Sequence, residues 1–315
     1  MLNDDIDKLD FNDDKYINIY NYKKNKRGKL RKWCTSRNNL MFNIEADIES
    51  GSYGDVYCLT NKKFKNKLAL KVSSVERKTN HNEIEYFKIF SQIKEIQNNI
   101  PKLYYIFSCP DYIYIIMDCY ENGCMSHHLI SEKLVDFKKM VKIIKSCVLT
   151  LDAIHKNGYV LNDLKPENLL LDKNYNPIFI DFGFAGKYND EYKFMYGTPV
   201  FQPPELLQYR LTNDRYFISN NKKDIWALGI LFLEIFTGEN YFEEIMNDKS
   251  MDAILYKENL IHVFLKMKKI LYNLPPSYIS RKYLHHLDTF IFSCLEPDFN
   301  KRPSAEDLLS FSLFK

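Results

Sequence analysis

Seven cysteines occur in the chain, Cys34, Cys58, Cys109, Cys119, Cys124, Cys147 and Cys294, yet no two are spaced as C-x-x-C. Zinc-ligand spacing is therefore absent, and an odd count does not describe a secreted disulfide framework. Reduced thiols in a cytosolic or nuclear protein are the simplest account. The first residues are acidic where a signal peptide would be basic and then apolar: Met1 to Asp14 carry Asp4, Asp5, Asp7, Asp10, Asp13 and Asp14. The longest apolar run, around Ile225–Phe236, is too short to span a bilayer and contains Glu234. A strong excess of either charge is absent as well. Lys and Arg number 44 against 41 Asp and Glu, a net charge of +3. No global field then points to nucleic acid or membrane as a partner. The expectation is a soluble intracellular protein, cytoplasmic, nuclear or both.

What is present is core. The 315 residues are 45% hydrophobic and 15% aromatic, enough for two compact lobes or one large domain. Residues 1–40 read as a charged extension, with a basic run from Lys23 to Lys32 following the acidic segment. Such blocks are usually solvated tails; the alternative is a docking arm or nuclear-localisation patch. Trp33 is placed to pin the end of this extension onto the folded part.

Ile44 to Leu59 (IEADIESGSYGDVYCL) alternates apolar residues around a small turn, the pattern of two strands and a loop. Gly51 and Gly54 remove side chains where backbone amides can approach phosphates. Lys71 sits amid apolar neighbours in Ala69-Leu70-Lys71-Val72, so it must be paired, exposed at its tip, or poised against an anion. Tyr86, Phe87 and Phe90 fall three, four and seven residues after Glu83, giving one helical face. Ile113–Met117 reads as a buried strand, and 136–155 as a core helix.

The centre of the sequence is Tyr159–Gly183, YVLNDLKPENLLLDKNYNPIFIDFG. Asp163 and Asp181 are separated by an amide, Asn168, and by two short apolar strands and a turn. Phosphoryl transfer needs this set: one carboxylate to orient a hydroxyl, and a carboxylate plus an amide oxygen for a hard cation. DLKPEN followed by DFG resembles the catalytic and metal-binding loops of eukaryotic-type protein kinases. The resemblance runs from about Ile44 to Phe314 and implies a bilobal α+β kinase fold. The domain would span 41–315, with the β-rich N-lobe about 41–118 and the mostly helical C-lobe about 119–315.

By that resemblance Asp163 is the catalytic base, Lys165 neutralises the transferring phosphoryl group, and Thr198 bonds Asp163 or Lys165. Asn168 and Asp181 hold Mg²⁺, with Mn²⁺ as an alternative. ATP is the cofactor, bound by Ile48, Gly51, Gly54, Val56, Ala69, Lys71, Glu83, Met117, Asp118, Tyr120 and Leu170. Glu83 is the expected partner of Lys71, with Glu85 as its rival. Asp224 is placed to accept backbone N–H groups of the catalytic loop, and Arg302 to pair with Glu205. Gly197–Glu205 resembles the substrate-facing segment of Ser/Thr-specific kinases.

The sequence also departs from the pattern. The first glycine of the phosphate loop falls at Glu49, and the usual His-Arg ahead of the catalytic acid is Leu161-Asn162. The missing arginine normally pairs with a phosphorylated loop. Phe184 to Tyr196 (FAGKYNDEYKFMY) contains no serine or threonine at all, so the two losses agree. The expectation is a Ser/Thr protein kinase that does not need Ser/Thr phosphorylation of this loop; the alternative is a nucleotide-binding pseudokinase acting as a scaffold.

Overall fold

In the computed structural model, apolar strands build most of the first unit and helices most of the second. The structure describes residues 32–34, 41–51, 54–60, 67–74, 78–108, 112–126, 136–192, 197–206, 217–218, 220–237, 253–274 and 279–315. The acidic segment and the basic run as far as Arg31 lie outside the described residues. The chain divides into two units, Met1–Ser91 with Pro101–Tyr120, and Gln92–Ile100 with Glu121–Lys315.

The first unit holds β1 (Lys32–Cys34), β2 (Met41–Gly51), β3 (Gly54–Thr60), β4 (Leu68–Ser74), α1 (Lys78–Ser91), β5 (Leu103–Ser108) and β6 (Tyr112–Asp118). The strands form one antiparallel sheet in the order β1-β2-β3-β4-β6-β5. The sheet thus begins at Lys32, ahead of residue 41. Consecutive buried residues in β3 (Tyr57–Leu59), β4 (Leu68–Lys71) and β6 (Ile113–Ile116) mark strands covered on both faces. Helix α1 buries Glu83, Tyr86, Phe87 and Phe90, one stripe at helical spacing. The end of β6 is fixed by Asp118, whose carboxylate accepts from Tyr104 Oη at 2.8 Å and from the Lys102 N–H at 3.1 Å.

The second unit opens its helical core with α2 (Phe137–Lys156). Asp136, expected inside this helix, is its N-cap: its side chain accepts the Lys138 N–H at 3.2 Å, satisfying a donor the helix leaves unpaired. Short strands follow: β7 (Tyr159–Val160), β8 (Leu169–Leu171), β9 (Pro177–Phe179), β10 (Gly186–Lys187), β11 (Glu191–Tyr192) and β12 (Phe217–Ile218), paired as β7 with β10, β8 with β9, and β11 with β12. Helices α3 (Lys222–Thr237), α4 (Ala253–Tyr272), α5 (Arg281–Cys294) and α6 (Ala305–Leu309) complete the unit. Every α3 residue from Lys223 to Phe236 except Glu234 is buried. That explains an apolar run which is a core helix rather than a membrane span; among the described residues no helix is long and apolar enough to cross a bilayer. Helix α5 packs on α3, and α6 on α2. Ser304 and Asp307 close a capping box at the start of α6.

Candidate active site

In the first unit, sheet register decides which side chains share a face. Directly opposed residues of an antiparallel pair point the same way. Val56 opposes Lys71 and Cys58 opposes Ala69 across β3–β4, while Ala69 opposes Met117 across β4–β6. Val56, Ala69, Lys71 and Met117 therefore lie on one face. Lys71 Nζ meets Glu83 Oε1 at 2.5 Å with both side chains buried, whereas Glu85 is exposed. Burial makes this pairing obligatory, because an unpartnered lysine there would be strongly penalised.

Gly51 and Gly54 oppose each other where β2 meets β3. Gly54 has φ +126, and a Cβ on it would lie 2.5 Å from the Val72 carbonyl oxygen. Packing against β4 thus requires this glycine independently of any phosphate. Ile48 lies on β2. Asp118 and Tyr120 lie at and just past the end of β6, and Leu170 belongs to the second unit, on β8, bridging Cys124.

The catalytic stretch is knitted together within the second unit. Asp163 Oδ1 accepts both the Thr198 N–H at 2.7 Å and the Thr198 hydroxyl at 2.8 Å. Lys165 Nζ donates to the same hydroxyl at 2.9 Å and stands 3.3 Å from Asp163 Oδ2. Thr198 therefore serves both of its expected partners at once. Asn168 Nδ2 donates to the Asp163 carbonyl at 2.9 Å and to its Oδ2 at 3.2 Å. The amide nitrogen is thereby committed, which leaves its oxygen as the group available to a cation. The Ile180 N–H donates to the Asn168 carbonyl at 3.0 Å, linking the strand before Asp181 to the loop carrying Asn168. Asp181 itself has φ 60, and its Oδ1 accepts the Gly183 N–H at 3.3 Å. The amide oxygen and carboxylate are hard donors suited to a divalent cation that keeps water and phosphate as further ligands.

The platform beneath this loop is Asp224, which is fully buried. Its oxygens accept the Leu161 and Asn162 N–H groups, each at 2.9 Å, and one faces His155 Nε2 at 2.9 Å. His155 Nδ1 is buried without a hydrogen-bond partner; protonation at Nε2 leaves only a lone pair there rather than a stranded N–H. Arg302 forks onto both carboxylate oxygens of Glu205 at 2.9 and 3.0 Å, and its guanidinium lies 4.9 Å from the Trp226 ring centroid.

Two features escaped the sequence reading. Asn162 donates its side-chain amide to the Phe184 carbonyl at 3.0 Å. Lys223 is buried, and desolvation lowers its ammonium to about 8, opposed by the charges of Asp224, Asp163 and Glu205. A Lys-Lys doublet ahead of an apolar run gave no hint of this, since such pairs ordinarily sit in solvent.

Comparison with known proteins identifies the family. The family match is to the protein kinase domain, over residues 42–314. Hormonally up-regulated neu tumor-associated kinase homolog A of Xenopus laevis is 30% identical over 217 residues, covering 67% of this chain and 28% of that protein. Serine/threonine-protein kinase KIC1 of Saccharomyces cerevisiae is 28% identical over 269 residues, 83% of this chain and 22% of its own length. Serine/threonine-protein kinase ppk16 of Schizosaccharomyces pombe is 29% identical over 280 residues, 87% of this chain and 37% of its own. The chain thus spans well under half the length of these relatives. It belongs to the protein kinase family and has that family's two-lobed α+β fold.

Proposed function

We propose that this chain is an active serine/threonine protein kinase that transfers the γ-phosphoryl group of ATP to a protein hydroxyl, without Ser/Thr phosphorylation of its own loop. The observation that supports this best is the Asp163–Thr198–Lys165 arrangement, in which unmodified groups already hold the catalytic carboxylate and the lysine in one bonded set. Asp163 orients the substrate hydroxyl and takes up its proton. Lys165 offsets charge developing on the transferring group. Lys71, held by Glu83, takes the α- and β-phosphates, and the Gly51–Gly54 hairpin covers them. Ile48, Val56, Ala69, Met117 and Leu170 contact the adenosine, and the backbones of Asp118 and Tyr120 orient its base. Mg²⁺, or Mn²⁺, would be held by Asn168 and Asp181 and would supply charge neutralisation on the phosphates.

Asn162, standing where the family arginine would be, favours a second reading: a nucleotide-binding pseudokinase that serves as a scaffold. A radiolabelled-ATP assay separates the two. Transfer to a generic protein substrate by the purified chain, abolished in Asp163→Asn, supports catalysis. Equal silence of both proteins, with ATP still raising the melting temperature, supports the scaffold.

A further inference from the structure

Two thiols of the first unit, Cys58 on β3 and Cys119 just past the end of β6, meet each other. Cys119 Sγ donates to Cys58 Sγ across 3.8 Å. Cys58 is buried on β3, two residues past Val56, while Cys119 is partly exposed between Asp118 and Tyr120. By contrast, Cys147 and Cys294 are fully buried in the helical unit, where burial pushes their thiols up and away from the reactive thiolate. We propose that Cys58 and Cys119 form a peroxide-responsive dithiol–disulfide couple that controls nucleotide binding. The binding consequence rests on the kinase reading above; the bond itself does not.

Peroxide oxidises the accessible Cys119 thiolate to a sulfenic acid, its O–O bond breaking and hydroxide leaving. The Cys58 thiolate then attacks the Cys119 sulfur and the S–O bond breaks. The departing hydroxide takes the proton released by Cys58, forming water. Two thiols lose two protons and two electrons, and one peroxide takes them up to become two waters. Strand β4 lies between β3 and β6, and strands two apart in a sheet are roughly 10 Å apart. Register places Ala69 opposite Cys58, and the small side chain of Ala69 leaves room for the sulfurs, which stand 3.8 Å apart. Bond formation must nevertheless draw the Cys119 backbone toward β3. Asp118 and Tyr120, whose backbones are assigned to the base, move with it. A bridge that strains its backbone is easily reduced, as a reversible device requires.

The test treats the full chain with hydrogen peroxide, blocks remaining thiols with N-ethylmaleimide, and maps disulfides by mass spectrometry. A Cys58–Cys119 cross-linked peptide, released by dithiothreitol and absent from both Cys58→Ala and Cys119→Ser, is expected. ATP affinity of the oxidised chain should fall about tenfold, and stay unchanged in either oxidised variant. Alkylation of both thiols after peroxide, a Cys119–Cys124 bridge, or sulfinic acid at Cys119 would each overturn the couple. A mapped bridge with undiminished ATP affinity overturns the control. Disulfide mapping needs no phosphoryl transfer, so an inactive chain leaves the chemical result readable.

Discussion

Asn162 reaches the Phe184 carbonyl with its side-chain amide at 3.0 Å while its own N–H donates to Asp224 Oδ1 at 2.9 Å. It does so at φ 65, a conformation that asparagine tolerates better than most residues. Its carbonyl oxygen abuts Gly197, where φ is +98 and any Cβ would collide with that oxygen. One short residue therefore joins the catalytic loop to the start of α3, to the segment after Asp181, and to the residue before Thr198. An arginine at this position reads a phosphate; the asparagine reads backbone that is always there. Pairing of β10 with β7, and the bond from the Tyr188 N–H to the Gly158 carbonyl at 2.8 Å, hold the same segment from its other side.

Asn162→Ala should lower turnover about tenfold and cost on the order of 1–2 kcal/mol, from one hydrogen bond and a left-handed backbone. Asn162→Gly separates the two causes, because it restores the backbone but not the bond. Stability recovered in Asn162→Gly with turnover still low is the expected result. Full turnover in both variants would show that the Phe184 contact positions nothing.

The Arg302–Glu205 fork predicts a stability effect. Arg302 is fully buried and also donates to the Lys222 and Glu296 carbonyls, each at 2.9 Å. Arg302→Ala abandons Glu205 and two carbonyls at once, a loss of about 3–5 kcal/mol. In a chain of this size that is a fall in melting temperature of roughly 10 °C. Arg302→Lys should recover little, since an ammonium cannot match two carboxylate oxygens and two carbonyls with one planar fork. A thermal melt within about 2 °C of the parent would remove the pair from the account of stability.

The residues proposed to carry chemistry were legible as a set because they lie close together in sequence. Asp163, Lys165 and Asn168 lie within one hexapeptide, and the stripe of Glu83, Tyr86, Phe87 and Phe90 follows from helical period alone. The Glu83 and Glu85 alternatives were separated only by burial, which depends on how α1 lies against its own sheet. Asn162 read as a missing arginine. Its contact with Phe184, 22 residues away, depends on a left-handed backbone angle that sequence does not specify. Lys223 failed for a different reason. Its burial follows from the helix it starts, not from its neighbours in sequence, and a lysine's long stem ordinarily finds water.

Lys223 predicts a pH dependence. Its ammonium is lowered from 10.5 to about 8 by burial. On raising the pH the folded chain loses this proton first. Between about 8 and 10.5 the unfolded chain therefore holds more protons, and this group's contribution to stability rises with pH. Below that window the cost of burying the charge is fully present, on the order of 3 kcal/mol. Lys223→Met has no such group. Urea denaturation at several pH values should show the variant's stability relative to the parent greatest near neutrality and declining by that amount as the pH is raised. Other lysines and tyrosines titrate in both proteins and cancel in the difference. A difference constant with pH would mean that Lys223 keeps an ordinary ammonium in the folded chain.

Thr198 bears on the proposed phosphate-independent activity. Its hydroxyl both donates to Asp163 and accepts from Lys165, and its N–H binds the same Asp163 oxygen. A phosphate on that hydroxyl would remove the donor and place negative charge against a carboxylate, so phosphorylation here should be inhibitory. Thr198→Val keeps the shape and the N–H but loses both hydroxyl bonds. Turnover should drop roughly 10–100-fold with the KM for ATP little changed, because the lost bonds orient Asp163 and Lys165 rather than nucleotide. Thr198→Ser should retain most activity. Treatment of the parent with a Ser/Thr phosphatase should leave its turnover unaltered. If phosphatase silences the enzyme and mass spectrometry places the lost phosphate on Thr198, then the bonded hydroxyl belongs to the resting state, and the proposal of phosphate-independent activity is wrong.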